Sequence, residues 1–115
     1  MIWPQDIHNE ICTRALTVMR DKSADYTGGD DPYRNFRLIE ALSIGSMEQG
    51  IIVRMSDKLS RLAKFSKDPD LVVTDECIED TLIDLVNYSV ILAAAWRERS
   101  RLYAEAEAYK LDLGG

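Results

Sequence analysis

This sequence is poor in the residues that build most metal centres and covalent frameworks: among 115 residues there is one histidine and there are two cysteines. His8 alone cannot supply a multi-histidine site or a relay between two imidazoles, and it reads as a helix-surface residue. Cys12 and Cys77 lie 65 positions apart without a CxxC partner, which favours reduced thiols packed as small hydrophobes over a disulfide or a zinc site. No apolar run approaches the roughly 20 residues of a membrane span, and Met1-Ile2-Trp3-Pro4 lacks the basic and apolar regions of a signal peptide, so the expected location is the cytoplasm. Basic residues are the minority, fourteen against twenty acidic, for a net charge of −6 and a pI near 4.7. That balance argues against a broad grip on a polynucleotide backbone, which needs clustered Lys and Arg. It leaves room for a small anionic ligand held through a metal ion. Strand alternation is missing as well, and the β-branched pair Val72-Val73 is too short to stand alone.

What is present is helical periodicity, in a chain with 46% hydrophobic and 30% charged residues, enough apolar content for one core. The expectation is a single all-α domain over 1–115: a small bundle of three long helices and one short one, with its core at about 5–96 and a helical extension and tail at 97–115. A first helix opens at Pro4, favoured in a first turn, and carries Ile7, Ile11, Ala15 and Val18 at helical spacing. It is expected to end near Lys22 to Asp25, before a loop reaching Phe36 that holds Gly28, Gly29, Pro32 and three aspartates. A short helix over 37–43 follows. Ser46 and Gln49 then form a capping-box pattern for a helix with Ile51, Met55, Leu59 and Leu62 on one face, running to about Phe65. After a turn at 67–70, Thr74 or Asp75 can cap the last helix. From Glu76 no Gly or Pro occurs until Gly114, which allows a helix of up to about 35 residues, long against the usual three turns. Three or four such helices bury a thin core alone, so a homo-oligomer, dimer or higher, built through the last helix is expected.

The segment 76–88 carries the most chemical information. At about 100° per residue, Glu76, Asp80, Asp84 and Asn87 fall within roughly 80° of one another, flanked by Ile83, Val90 and Ile91, which points to burial of Asp84 and Asn87. A carboxylate leaving water needs a paired cation or a coordinated metal. Two carboxylates one turn apart plus an amide oxygen suit Mg²⁺ or Mn²⁺, with Glu76 and Glu79 as further candidate ligands beside Asp80 and Asp84. The plainer alternative is that Asp80 and Asp84 pair with basic residues of a neighbouring helix. On the preceding long helix Arg54, Asp57, Lys58 and Arg61 are read as sharing the face opposite Ile51, Met55, Leu59 and Leu62, either as a solvated ion-paired face or as a phosphate-neutralising one. Arg34 and Arg37 offer further cations, and Tyr33 or Phe36 could stack on a base or pin the loop to the core.

Taken in order, Lys22-Ser23-Ala24-Asp25-Tyr26, Asn35-Phe36, the run from Arg54 to Leu62 and the run from Asp75 to Tyr88 resemble the nucleotide modification associated domain family common in bacteriophages. The resemblance covers about 22–96 and implies work on nucleotides in the cytoplasm of an infected host. More distantly, the acidic last helix is similar to the second metal-binding helix of MazG-like all-α nucleoside triphosphate pyrophosphohydrolases, which cleave (d)NTPs between the α- and β-phosphates with Mg²⁺. The Glu-Glu-x-x-Glu of those enzymes has no counterpart here, where Arg54, Asp57, Lys58 and Arg61 stand instead.

The resulting expectation is a nucleotide held between the basic helix at 47–65 and the acidic helix at 75–96. In a Mg²⁺-dependent pyrophosphohydrolase, Asp80, Asp84 and Lys58 would be catalytic, and Arg54, Asp57, Arg61, Asn87, Tyr33, Arg34 and Arg37 would bind the nucleotide. The alternative is a non-catalytic module that binds or sequesters a nucleotide, conceivably a cyclic signalling one. Both readings take a mononucleotide-sized ligand, with no polynucleotide and no membrane.

Overall fold

A computed structural model describes residues 1–27, 33–68, 70 and 78–114, with the side chains of 23–27 left aside. It contains four helices in chain order, α1 (Pro4–Thr27), α2 (Arg34–Ala41), α3 (Met47–Lys67) and α4 (Ile78–Gly114), and no strand among the described residues. The all-α class read from the sequence is therefore the observed one. Pro4 occupies the first position of α1. The expected loop between Asp25 and Phe36 is shorter at both ends, since α1 continues to Thr27 and α2 begins at Arg34. The proposed caps Thr74 and Asp75 lie outside the described residues.

Two local motifs set the angle between α2 and α3. At the end of α2 the amide of Ser43 donates to Glu40 and that of Ile44 to Ile39, the paired bonds of a Schellman turn. Ser43 takes the left-handed conformation such a turn requires, at φ 57°. Three residues on, the Ser46 hydroxyl accepts from the Gln49 amide while the Gln49 side chain accepts from the Ser46 amide, completing the expected capping box. Gly50 lies one turn inside α3, where a Cβ would stand 2.3 Å from Ile39 Cδ1, so its lack of a side chain is what lets α2 lie close against α3.

The core is small. Met47, Ile51 and Ala95 form its buried centre, surrounded by Tyr33, Phe36, Met55, Tyr88, Ile91 and Leu92. Phe36 meets Tyr88 edge to face, with ring centroids 6.5 Å apart, which ties α2 to α4. Ala15, almost fully buried, marks where α1 crosses α4, and there Asn87 Nδ2 donates to the Ala15 carbonyl at 2.9 Å. At about 1.5 Å per residue the 37 residues of α4 run some 55 Å, most of the 64 Å long axis of the molecule. The radius of gyration is 18.2 Å, where a compact chain of this length has about 13 Å.

Thr81, fully buried on α4, has a hydroxyl without a hydrogen-bond partner. Such a group carries its desolvation penalty uncompensated. Thr81→Val, nearly isosteric, is expected to raise stability by about 1 kcal/mol in urea denaturation; a loss of similar size would show that the hydroxyl is satisfied in solution.

Candidate functional site: an aspartate clasped by two lysines

Three helices each contribute one charge to a single junction. Asp84 Oδ1 accepts from Lys22 Nζ of α1 at 3.2 Å, and Asp84 Oδ2 lies 2.8 Å from Lys58 Nζ of α3. The Asp84 and Lys58 side chains are only 14% and 17% exposed, while Lys22 is 55% exposed, so the clasp is open to water on the α1 side. Burial by itself opposes ionisation of Asp84. Hydrogen bonds from Lys58 and then Lys22 outweigh it and hold the carboxyl below its ordinary value. Asp84 is therefore an anion at neutral pH, and with two ammonium groups the junction carries a local charge of +1.

The geometry follows from where these residues sit on their helices. Lys22 falls within about 20° of Ile11 and Ala15 on the apolar stripe of α1. Lys58 falls about 20° from Ile51, not opposite it, so its expected place on the outer face of α3 is corrected: it points inward toward α4 while Arg54, Asp57 and Arg61 stay exposed. Asp84 lies between the sides of α4 that meet α1 and α3. The pairing of acidic stripe with neighbouring cations continues one turn earlier, where Arg14 of α1 lies 2.7 Å from Glu79 and 3.8 Å from Asp80. Among the described residues, no three His, Cys, Asp or Glu side chains converge as a metal set. Glu76 lies outside the described residues.

The other candidate residues are spread over two further places. Arg54 and Asp57 line a cavity of about 360 Å³ on the α2 side of α3, together with Ile39, Ile44, Gln49 and Val53. Tyr33 and Phe36 pack against the core, and the Arg37 guanidinium sits 5.7 Å from the centre of the Tyr33 ring. Arg34 is exposed at the first turn of α2. Asn87 spends its amide N–H on the Ala15 carbonyl.

Neither Lys22 nor Arg14 is a site candidate from sequence: Lys22 enters there only through the run that carries the resemblance, although a lysine on the apolar stripe of α1 is a readable signal. The same holds for a second ionic cluster. Glu48 at the start of α3 is only 5% exposed and receives Arg99 Nε and Nη2 at 2.6 and 2.9 Å. Arg99 Nη2 also reaches Glu40 Oε1 at 2.6 Å, and Glu40 Oε1 accepts the Met47 amide. One arginine thus joins α2, α3 and α4.

No family model matches the chain, and no curated protein and no solved structure matches it. The described helices include none long and apolar enough to cross a membrane.

Proposed function

We propose that this protein binds a mononucleotide through its phosphates at the Lys22–Asp84–Lys58 junction. The observation that carries the reading is the clasp itself, in which two lysines from different helices are held apart on the two oxygens of one mostly buried carboxylate. Each ammonium has three donors, and the Asp84 contact uses one, so both retain hydrogen-bonding capacity for a phosphate oxygen. The local surplus of positive charge favours an anion. The exposed flank of Lys22 gives that anion a way in. Arg54 and Arg61 on the outer face of α3, and Arg34, Arg37 and Tyr33 at the start of α2, lie apart from the clasp and are not needed for this reading.

The described donor set suits an anion better than Mg²⁺ or Mn²⁺. Both oxygens of Asp84 are occupied by ammonium groups, and Glu79 and Asp80 face Arg14. A Mg²⁺-dependent (d)NTP pyrophosphohydrolase is the second reading. What favours it is the one-turn spacing of Asp80 and Asp84 and the ionised state of Asp84, and it requires the ion to displace the lysines.

Isothermal titration with a panel of ribo- and deoxynucleotides, in EDTA and then in Mg²⁺, separates the readings. Saturable binding in EDTA, weakened about tenfold by Lys58→Met, which keeps most of the stem and removes the charge, is the expected result; tenfold corresponds to about 1.4 kcal/mol. Release of pyrophosphate only in Mg²⁺ would establish the enzyme instead, and no heat with any nucleotide in either buffer would refute both.

A further inference from the structure

The accessible surface of the chain is 8856 Å², whereas a compact monomer of 13.1 kDa exposes about 6,400 Å². The surplus of about 2,500 Å² is some three times what one partner gives to a standard interface. The second half of α4 contributes to it: Leu102, Tyr109 and Leu113 there are 52%, 65% and 70% exposed.

These residues are not scattered. Tyr88, Leu92, Ala95, Arg99, Leu102, Ala106, Tyr109 and Leu113 follow one another at alternating intervals of four and three, a seam that stays on one side of the helix. The first part of this seam is filled from within the chain: Ala95 is buried in the core, and Tyr88 and Leu92 pack against it. Arg99 closes that part by its bonds to Glu40 and Glu48. Beyond Arg99 the same seam continues for two heptads, with its apolar residues in water.

We propose that a second copy of this chain covers the seam, the two α4 extensions pairing side by side in parallel as a short two-stranded coiled coil. Leu102 and Tyr109 occupy d positions and Ala106 and Leu113 a positions, which leaves Glu105 at g and Lys110 at e. In a parallel pair the g residue of one helix faces the e residue five places later on the other, so Glu105 meets Lys110 of the second copy twice across the two-fold axis. An antiparallel pair would place Glu105 beside Asp112, acid against acid. Charge complementarity therefore selects the orientation, and the apolar seam supplies the association. Along its own helix Arg101 pairs with Glu98 and Glu105, and Lys110 with Glu107, so Glu105 and Lys110 would share these exposed partners with the pair across the seam.

Sedimentation equilibrium at roughly 100 µM, above the micromolar Kd of an interface below standard size, is expected to give twice the chain mass of 13.1 kDa. The double variant Tyr109→Glu, Leu113→Glu should sediment as a monomer with unchanged helical circular dichroism, because both side chains are exposed in the single chain. Lys110→Glu should weaken the dimer, and adding Glu105→Lys should restore it. In a Cys12→Ser, Cys77→Ser background, needed because Cys12 is itself exposed, mild oxidation of Leu102→Cys should yield a covalent dimer absent without the added cysteine, since parallel pairing sets position 102 against itself and antiparallel pairing sets it against 113. A monomeric parent protein, an assembly indifferent to the variants in the extension, or failure of Leu102→Cys to cross-link would each overturn the proposal.

Discussion

Replacing Arg99 by alanine is expected to destabilise the protein by about 3 kcal/mol, measured by urea denaturation at pH 7. The substitution leaves the Glu48 carboxylate, 5% exposed, without the guanidinium that binds both of its oxygens. Removing one partner of a buried ion pair costs about 3–5 kcal/mol because the remaining charge stays desolvated. Arg99 itself is half exposed, and Glu48 lies in the first turn of α3 where the helix dipole favours an anion, so the lower end applies. A chain of this length has roughly 6–17 kcal/mol in all, and the loss should lower Tm by about 10 °C. The contact also links α2 to α3 and α4, so hydrogen exchange should rise first in α2, the shortest helix. Arg99→Met combined with Glu48→Gln should recover much of the loss, since the stranded charge is then gone. A cost below about 1 kcal/mol for Arg99→Ala would mean that water reaches Glu48 and that the triad is a surface feature.

The sign of the accompanying pH dependence follows from the two carboxyls. Glu48 is held below its ordinary value by Arg99, against the opposing effect of burial, and Glu40 is lowered by the Met47 amide and then by Arg99. A lowered folded-state pKa contributes stability that is complete above the unfolded value and disappears as pH falls through the folded one. The parent protein should therefore lose this contribution below about pH 4.5, while Arg99→Ala, which keeps only the share that the Met47 amide gives Glu40, should show a flatter acid limb.

Helices were legible from this sequence because their signals are local. Pro4, the Ser46 and Gln49 pair and the uninterrupted run after Glu76 each act within a few residues, and each has its expected structural counterpart. The burial of Asp84 was also readable, since apolar neighbours on both flanks of one helix leave a carboxylate nowhere to go. What a single helix could not tell was the partner. Lys22, Lys58, Glu48 and Arg99 all sit on the apolar stripes of their own helices, and a charge on such a stripe announces an interior contact without naming the helix that completes it. Lys58 shows the error this invites. Read with Arg54, Asp57 and Arg61 as one face opposite Ile51, it falls on the outside; its actual helical angle, about 20° from Ile51, puts it inside. Four charges on three stripes resolve into two clusters only once the crossing of α1 over α4 and the packing of α3 on α4 are known.

Asp84→Asn is expected to separate stability from ligand affinity at the junction. It brings two ammonium groups together without their shared anion, one of them on a side chain 17% exposed, which should cost about 2 kcal/mol at pH 7. The cost should fade on acidification: the Asp84 carboxyl lies below its ordinary 3.8, so its contribution is complete above about pH 4 and is lost as pH falls through the lowered value. Parent and variant stabilities should therefore converge as pH falls through that lowered value. Binding should move the other way. With the carboxylate neutral the local charge rises from +1 to +2, and a phosphate group can take the place of the missing anion between Lys22 and Lys58. Nucleotide affinity in EDTA should rise by about tenfold, and the ligand-induced gain in Tm should be larger in the variant than in the parent. If Asp84 instead serves as a metal ligand, the same substitution removes Mg²⁺-dependent turnover and raises no affinity, because the lost charge is then the one that held the ion. One variant, followed by denaturation at two pH values and by titration in EDTA, distinguishes a lysine clasp organised by an aspartate from an aspartate that works through a cation.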